Sequence, residues 1–487
     1  MSASTDKRPR RFDANLVVIG AGAAGLVTAY VAAAARAGVV LIERERMGGD
    51  CLNTGCVPSK ALIRAARLAH DIGRADQFGL QAGPVEVDFP RVMARVRDVI
   101  AKIEPHDSVE RYSRLGVRCI SGDARITSPW TVTVNGETLS ARSIVIATGG
   151  GPFVPQIPGL EQIAFKTSDT IWQLAERPRR LLVLGGGPIG CELAQAFSRL
   201  GSEVTLVEML PRLLAREDEE VSVLMEQQFA RETIRVLTGY RAARFERQGQ
   251  EQLAVCERDG ETLQLAFDEV LVAVGRRANT EGLGLENAGI TTNRDGTVPV
   301  NERLQTVHPH ILACGDVSGP FQLTHAAGYQ GWFCAMNALF GPFKTFRADY
   351  SVMPWAVFTD PEVARVGLTA AEAGERGIAA EVTRYDIADL DRSIADGEAQ
   401  GFVKIVTRRG SDRILGATIV GAQAGELITE QVTAMKHGLG LRKILNTIHV
   451  YPTLAEANRF AAGEWQKARL SPGLLNLAAR FHRWRLG

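Results

Sequence analysis

The sequence predicts an α/β fold with two Rossmann-type domains and a further α+β domain. Its 487 residues suggest about three domains, because a single hydrophobic core seldom grows beyond about 250 to 300 residues. A glycine-rich turn at 20–25 follows the apolar string LVVI, and a second one at 185–190 follows RLLVLG. From about residue 347 onward the composition lacks such turns. We therefore expect two doubly wound units and then a domain of a different kind.

The first turn, GAGAAG, contributes Gly20, Gly22 and Gly25, and Glu43 ends the next predicted strand 23 residues after Gly20. Glycines at these positions allow a tight turn, let a pyrophosphate approach the helix N-terminus, and let the helix pack on the strand. The carboxylate accepts hydrogen bonds from an adenosine ribose. Structural glycines alone could explain one such turn, but this pattern recurs.

The second turn contributes Gly185, Gly187 and Gly190, and Glu208 again follows the first glycine by 23 residues. Two dinucleotide sites are what a hydride relay between a flavin and a nicotinamide requires. The Glu208 carboxylate favours NADH over NADPH, because a 2'-phosphate there would meet like charge. NADPH is the less favoured alternative, since two nearby arginines could reach a phosphate if the loop folds back: Arg212 and Arg216.

The segment 48–60, GGDCLNTGCVPSK, places Cys51 and Cys56 five positions apart beside Lys60. A disulfide needs Cα atoms within about 4.4 to 6.8 Å, so the intervening chain must be compact. Asn and Gly tolerate left-handed backbone, and we expect a left-handed turn between the cysteines. No CxxC or other Cys/His cluster could complete a zinc site, so no metal is predicted.

This segment and the duplicated turns resemble the class I pyridine nucleotide-disulfide oxidoreductases, the family of lipoamide dehydrogenase, glutathione reductase and mercuric reductase. The resemblance covers about residues 13–465. It implies FAD in the first site, a pyridine nucleotide in the second, and a homodimer with a composite active site. The implied domains are an FAD-binding domain at 1–150 and 276–346, an NAD(P)-binding domain at 151–275, an interface domain at 347–465, and a basic C-terminal tail at 466–487.

Further cofactor-binding positions follow from the same resemblance. The strings ATG and VGRRAN match segments where the family's chain leaves and re-enters the FAD domain, with Ala278 replacing a usual proline. HILACGDV resembles the second FAD fingerprint, whose aspartate would hold the ribityl chain. The expected contacts are Gly48, Thr148, Gly149, Gly275, Arg276 and Asp316.

The resemblance also assigns catalytic roles. Cys56 would be held as a thiolate against the flavin, and Cys51 would attack the substrate. Lys60 would supply positive charge that lowers the thiol pKa, paired with Glu192 beside the flavin. An early-helix glutamate such as Glu192 can alternatively serve only the helix dipole.

The string HVYPTLAE departs from the family pattern. In lipoamide dehydrogenase and glutathione reductase the residue before Pro-Thr is a histidine, oriented by a glutamate five positions on, here Glu456; this chain has Tyr451. A phenol titrates near pH 10 and cannot act as a base at neutral pH, so we expect weak dihydrolipoamide turnover unless His449 reaches the same place. Mercuric reductases also carry tyrosine here, but their C-terminal cysteine pair is missing, since the last cysteine is Cys334.

These features predict a dihydrolipoyl dehydrogenase-like, FAD-dependent NADH:disulfide oxidoreductase whose acceptor is a small-molecule or protein-bound disulfide or a metal ion. One alternative is a mercuric-reductase-like reductase of a metal ion or quinone. A flavin redox sensor without turnover is the non-enzyme alternative, although a sensor has no need of an exchange thiol.

The charge balance and the cysteine content indicate which partners and which cellular compartment to expect. The chain has 56 Lys plus Arg and 55 Asp plus Glu, so a net charge of +1 gives no field toward nucleic acid. Seven cysteines with one tight pair fit a reducing compartment, and we expect the cytoplasm. Arg10 and Arg11 before an apolar stretch are similar to an export signal, but glycines divide that stretch into a βαβ unit.

The tail from Ser471 to Gly487 lies outside the resemblance and has an amphipathic, basic pattern. As a helix it would present one apolar and one polar face, formed respectively by Leu474, Leu477, Ala478, Phe481 and Trp484, and by Asn476, Arg480 and Arg483. Two roles for this helix are compatible with the pattern: docking on a subunit of the protein, and peripheral attachment to anionic lipid.

Overall fold

The computed structural model describes residues 8–487. These residues form two compact units, one containing the chain to 211 together with 232–349, the other containing 212–231 and 350–487. Among the described residues, no helix combines the length and the apolarity that crossing a membrane requires.

A seven-stranded sheet in the first unit carries the first glycine turn. Its order is β3-β2-β1-β6-β5-β4, with β17 beside β6. β1 pairs in parallel with β2 and β6, and its side chains are almost all buried, as expected for a strand covered on both faces. The strands are β1 (Ala14–Ile19), β2 (Val39–Glu43), β3 (Val117–Ser121), β4 (Arg125–Ser128), β5 (Thr131–Val134), β6 (Glu137–Ile146) and β17 (Ile311–Ala313).

Helices cover this sheet and carry the cysteine segment. α1 and α8 pack closely because Gly331 of α8 lies against the backbone of α1, where a Cβ would come within 2.4 Å of the Ala24 carbonyl oxygen. The helices are α1 (Ala23–Ala34), α2 (Gly49–Asn53), α3 (Cys56–Gly73), α4 (Phe89–Ile103), α5 (Val109–Arg114) and α8 (Thr324–Phe340).

A second, parallel sheet in the same unit carries the second glycine turn, with order β11-β10-β9-β15-β8. Helix α6 follows β9, and an antiparallel three-stranded sheet precedes β15 in the chain. A two-stranded ribbon of β7 and β16 lies where the predicted FAD and NAD(P) domains join. These elements are β7 (Gly150–Pro152), β8 (Lys166–Thr167), β9 (Arg180–Leu184), α6 (Pro188–Arg199), β10 (Glu203–Glu208), β11 (Arg235–Thr238), β12 (Arg241–Gln248), β13 (Glu251–Arg258), β14 (Glu261–Phe267), β15 (Glu269–Val272) and β16 (Arg276–Ala278).

The second unit is an antiparallel sheet of order β18-β19-β22-β21-β20 packed with helices. Trp465 fills its core at 1% exposure. Its elements are α7 (Glu219–Arg231), β18 (Pro354–Val357), β19 (Glu362–Gly367), α9 (Ala370–Glu375), β20 (Ala380–Asp386), α10 (Asp391–Ala395), β21 (Phe402–Arg408), β22 (Ile414–Gly421), α11 (Ala424–Lys436), α12 (Leu441–Leu445), α13 (Glu456–Lys467) and α14 (Pro472–Arg485).

The predicted fold class is confirmed: a seven-stranded sheet with a parallel core and a fully parallel five-stranded sheet each carry a glycine turn, and an α+β unit follows. The domain boundaries stay predictions, although the predicted FAD-binding, NAD(P)-binding and interface domains each contain a sheet of their own. Residues 212–231, predicted within the NAD(P) domain, cluster instead with the second unit. Polar contacts explain this placement, since Lys404 donates to Asp218 at 3.2 Å and Arg365 donates to the Arg216 carbonyl at 2.7 Å.

Candidate functional site

The two cysteines lie on consecutive helices that meet in a tight link. Cys51 belongs to α2 and Cys56 begins α3. The amides of Thr54 and Gly55 both donate to the Asp50 carbonyl, at 2.8 and 2.7 Å. This closes the chain on itself and brings the Cys51 and Cys56 thiols near enough to shift each other's pKa.

The expectation of a left-handed turn between the cysteines is wrong. The left-handed residues are Gly48 and Gly49, with φ of 87° and 57°, and they lie before Cys51. Gly55 has φ −111° and ψ −110°, and a Cβ there would lie 3.1 Å from the Asp50 carbonyl oxygen. The glycine is needed for this close approach, not for a positive φ.

The thiols have opposite acidities. The pKa of Cys56 is lowered to about 6, first because the Cys51 thiol donates a hydrogen bond to it, and further by the Thr324 hydroxyl and the charge of Lys60. The Thr324 oxygen lies 3.3 Å from the Cys56 sulfur. The pKa of Cys51 is raised, because its proton is shared with Cys56 and because it is buried. At neutral pH this geometry favours a thiolate at Cys56 and a thiol at Cys51.

An ion pair joins the cysteine helix to the second glycine turn. Lys60 Nζ on α3 donates to Glu192 Oε2 on α6 at 2.8 Å, and the Glu192 side chain is buried. Glu192 therefore has a specific partner beyond the helix dipole. Its catalytic role stays a prediction.

A buried network of charged side chains surrounds Asp50, the residue before Cys51. Arg276, with a side chain 14% exposed, donates to the Asp50 carboxylate and to the Gly150 carbonyl, and lies 3.4 Å from Asp316. Thr54 Oγ1 also donates to Asp50, at 2.6 Å. Arg276 thus connects the redox segment to the aspartate expected to hold the ribityl chain.

Both glycine turns have the close contacts that a dinucleotide cradle requires. A Cβ on Gly20 would lie 2.4 Å from the Ala147 carbonyl oxygen, and one on Gly25 would lie 1.8 Å from that of Gly20. The second turn repeats this, with 2.4 Å at Gly185 and 1.8 Å at Gly190. Apart from its chain neighbours, no residue in the described range 8–487 has an atom within 4 Å of a Cβ built on Gly187, which leaves space for a phosphate beside the first turn of α6. The residues present fit two dinucleotides.

The two strand-end carboxylates are placed alike. Glu43 accepts the amides of Ala21 and Glu45, at 2.6 and 2.8 Å. Glu208 accepts the corresponding amides of Gly186 and Leu210, at 2.5 and 2.6 Å. Each carboxylate is therefore fixed beside its glycine turn, where the ribose of a dinucleotide would lie.

The cysteine segment packs directly on the first glycine turn. Gly48 donates its amide to the Ala21 carbonyl at 3.0 Å, and a Cβ on Gly49 would lie 2.6 Å from the Gly22 Cα. A nucleotide held by the first turn would therefore lie beside the thiols.

The predicted crossing residues are tied to each other. Thr148 Oγ1 donates to the Asn279 carbonyl at 2.7 Å, and Asn279 donates back to the Thr148 carbonyl at 3.0 Å. Gly149 and Gly275 have φ of 68° and 145°, which only glycine adopts readily. The loop before Asp316 is held by Gln330, whose side-chain oxygen accepts the Gly315 amide at 2.6 Å.

In the second unit, Tyr451 and His449 have different surroundings. Tyr451 is 67% exposed, and its hydroxyl donates to Asp391 Oδ2 at 3.0 Å, which raises the phenol pKa. The His449 side chain is only 7% exposed; its Nε2 lies 2.9 Å from Glu430 and its Nδ1 lies 3.0 Å from the Thr447 carbonyl. Tyr451 is available as a hydrogen-bond donor, whereas both ring nitrogens of His449 are engaged.

Glu456 is buried, and its carboxylate accepts the Thr453 amide at 3.3 Å. It lies at the start of α13, directly after the Tyr451 loop. The partners that sequence reasoning missed, Thr324, Asp50, Asp391 and Glu430, carry no motif of their own. Asp50 alone left a signal, as a charged residue next to a predicted redox cysteine.

Family models match most of the chain. The pyridine nucleotide-disulphide oxidoreductase model matches residues 14–331, and the dimerisation domain of the same family matches residues 353–462. Both glycine turns and both cysteines lie in the first match, and Tyr451 lies in the second.

Named relatives cover nearly the whole chain. A dihydrolipoyl dehydrogenase from Chlamydia muridarum is 37% identical over 446 residues, covering 90% of this chain and 94% of that protein. A mercuric reductase from Streptomyces lividans is 36% identical, covering 92% and 95%. The HOCl-induced flavoprotein disulfide reductase RclA from Escherichia coli has a TM-score of 0.83 and 28% identity, covering 92% of this chain and 99% of that chain, and has also been solved as a Cu(II) complex.

These matches confirm that the protein is an enzyme, an FAD-dependent disulfide oxidoreductase that binds a pyridine nucleotide. They disfavour the alternative of a flavin redox sensor without turnover. They also give the chain a dimerisation domain. The chain belongs to the pyridine nucleotide-disulphide oxidoreductase family.

Proposed function

We propose that the protein is an NADH-dependent disulfide reductase of the dihydrolipoyl dehydrogenase type, working through a Cys51–Cys56 disulfide. The observation that carries this proposal is the pair of thiols on consecutive helices, where the Cys56 sulfur lies 3.3 Å from the Thr324 hydroxyl and the pKa of Cys56 is lowered while that of Cys51 is raised. FAD, when bound on the first glycine turn, supplies the conversion of a hydride into an electron pair for the disulfide.

Other residues of the chain would bind the two nucleotides and stabilise the thiolate. The first glycine turn, Glu43 and Asp316 would hold FAD; the second turn and Glu208 would hold NADH. Lys60, fixed by Glu192, keeps positive charge beside the Cys56 thiolate.

Transfer to a disulfide acceptor requires two exchange steps. Movement of the shared proton to Cys56 leaves Cys51 as a thiolate, which attacks the acceptor and forms a mixed disulfide while one acceptor sulfur leaves. Cys56, losing its proton, then attacks Cys51, re-forms the enzyme disulfide and releases the second acceptor sulfur. The acceptor gains two electrons and two protons, one proton from the thiol pair and one from solvent, and Tyr451 of a second subunit would donate a hydrogen bond to a leaving sulfur.

The preference for NADH is supported by Glu208 and by the engagement of Arg212. The Arg212 guanidinium donates to the Glu217 and Ala215 carbonyls and to the Ser222 hydroxyl, at 2.7 to 2.9 Å, so it is already committed to other acceptors. Only Arg216 of the two nearby arginines has an exposed side chain.

We expect kcat/KM for NADH to exceed that for NADPH by at least about tenfold, because a 2'-phosphate would face the Glu208 carboxylate. Glu208→Gln should narrow this ratio by raising the NADPH value. Steady-state kinetics with both nucleotides measure it, with Glu203→Gln, an exposed residue on the same strand, as the control. A native preference for NADPH would refute the assignment.

The acidity of Cys56 predicts a pH-dependent spectrum. A thiol with its pKa lowered to about 6 stays ionised above that pH and is protonated below it. The long-wavelength absorbance of the two-electron-reduced enzyme, which arises from a thiolate against the flavin, should therefore fade as pH falls through about 6. Thr324→Val should raise the pH of that transition, because it removes a donor to the thiolate. An absorbance that persists unchanged well below that pKa in both proteins would contradict this.

A metal ion or quinone is the second candidate acceptor, favoured by one observation: Tyr451 stands where a base would be needed for dithiol oxidation. Among residues 8–487, no group of three or more His, Cys, Asp or Glu side chains is placed to hold a metal ion. A metal acceptor would therefore be handled as substrate by the Cys51–Cys56 pair.

An acceptor screen with NADH and lipoamide, Hg(II), Cu(II) or quinones tests the proposal. We expect turnover with lipoamide, lost in Cys51→Ser. Metal or quinone turnover without lipoamide turnover would move the assignment to the second candidate.

The dimerisation domain supports a homodimer whose active site combines the thiols of one subunit with Tyr451 of the other. The single tight cysteine pair supports a cytoplasmic location. Mixed dimers of Cys51→Ser and Tyr451→Phe subunits should recover activity if the site is composite.

A further inference from the structure

The last helix, α14, leaves its apolar side chains exposed. Within residues 8–487, no residue of α14 is buried, and Leu477 and Trp484 are 62% and 76% exposed. Ser471 caps the helix by accepting the Leu474 amide at 3.2 Å, and Pro472 occupies its first turn. The helix therefore begins with its own local signals.

The exposed apolar residues share one side of α14. At about 100° per residue, an arc runs through Leu474, Leu477, Phe481 and Trp484, and the Phe481 and Trp484 ring centroids are 6.0 Å apart. Arg480 flanks this arc next to Trp484, and Arg483 projects from the opposite side. The arrangement is that of a helix with one apolar arc and arginines beside it, while exposed Leu475 lies outside the arc.

The charge of this region has one sign. From Ala468 to the last residue there are four arginines and no aspartate or glutamate. One of them, Arg469, is paired with Glu381 at 2.8 Å, which leaves three arginines within α14. Cationic residues beside exposed aromatic and leucine side chains complement a surface that is both anionic and oily.

A second copy of the chain is a less suitable occupant. The dimerisation domain matched by the family model ends at residue 462, before α14 begins. The alignment with RclA covers 99% of RclA but only 92% of this chain. A protein of the same fold therefore lacks a counterpart for some residues of this chain. The match to the family's dimerisation domain therefore does not include this helix.

The length of α14 determines whether it could span a bilayer or lie on its surface. Its 14 residues span about 21 Å, less than the hydrocarbon core of about 30 Å. We propose that α14 lies in the plane of a membrane surface rich in anionic lipid, with the apolar arc toward the acyl chains and Arg480 and Arg483 at the phosphate level. Arg485, on the apolar side near the helix end, can extend its long side chain to the head groups.

Co-sedimentation of the FAD-loaded enzyme with vesicles tests this proposal. We expect binding to phosphatidylcholine vesicles that contain phosphatidylglycerol, weaker binding at high salt, and little binding to phosphatidylcholine alone. The triple variant Arg480→Gln/Arg483→Gln/Arg485→Gln should bind about 100-fold more weakly, since each arginine near an anionic surface contributes about fivefold.

A matched control removes equal charge elsewhere. Arg97→Gln/Arg142→Gln/Arg294→Gln changes three exposed arginines outside α14 and should bind vesicles as the native enzyme does. Leu477→Ser/Trp484→Ser should weaken binding without changing the flavin spectrum or NADH oxidation, because both side chains are exposed. Failure of the intact enzyme to sediment with anionic vesicles, or equal loss in the control triple, overturns the proposal. So does a change of oligomeric state in the α14 variants without vesicle binding, which would identify a second copy as the occupant.

Discussion

Cys51→Ser should abolish disulfide reduction while leaving reduction of the flavin by NADH intact. A serine hydroxyl does not exchange with a disulfide, so turnover should fall at least about 10³-fold. The introduced hydroxyl can still donate a hydrogen bond to Cys56, whose thiolate should give long-wavelength absorbance even before reduction. Stopped-flow flavin reduction and steady-state lipoamide turnover measure the two halves separately.

Two controls separate the roles of the thiols. Cys56→Ser should lose both turnover and the long-wavelength absorbance, because it removes the acidic thiol. Cys119→Ser, at a half-buried cysteine outside the pair, should retain both. Equal absorbance in the Cys51→Ser and Cys56→Ser variants would show that the thiolate is misassigned.

Tyr451→His should raise oxidation of dihydrolipoamide by NAD⁺ by about 10²- to 10⁴-fold, the usual contribution of a general base. An imidazole titrates near pH 6.5 and accepts a thiol proton at neutral pH, whereas the phenol stays protonated. The hydrogen bond to Asp391 reinforces this by raising the pKa of Tyr451. Glu456 already stands five positions on, where the family orients its histidine.

Two further variants test the alternative base. Tyr451→Phe removes the hydroxyl without adding a base and should show no gain. His449→Gln should leave dithiol oxidation nearly unchanged, because both His449 ring nitrogens have partners. Strong native lipoamide activity that Tyr451→His does not alter, but His449→Gln removes, would assign the base to His449.

The fold could be predicted because its determinants are local in sequence. Each glycine turn occupies six residues between a strand and a helix, and the contacts at Gly25 and Gly190 show why these positions exclude a side chain. The strand-end carboxylates were predictable for the same reason. The error at the cysteine link arose because Gly55 serves a steric need that residue type alone does not distinguish from left-handed backbone.

The surroundings of the site could not be predicted, since they depend on long-range packing. Thr324 reaches Cys56 from 268 residues away, and Arg276 reaches Asp50 from 226 residues away. Asp391 lies 60 residues from Tyr451. A single sequence gives no indication that such residues meet.

In the proposed mechanism, the residues that carry electrons and the residue that donates to the leaving sulfur belong to different compact units of the chain. Both nucleotide turns and the thiols lie in the first unit, while Tyr451, Asp391 and His449 lie in the second. On the proposed roles, substitutions around Tyr451 would change the choice of acceptor or the direction of the reaction without altering any residue that holds a nucleotide or forms the disulfide.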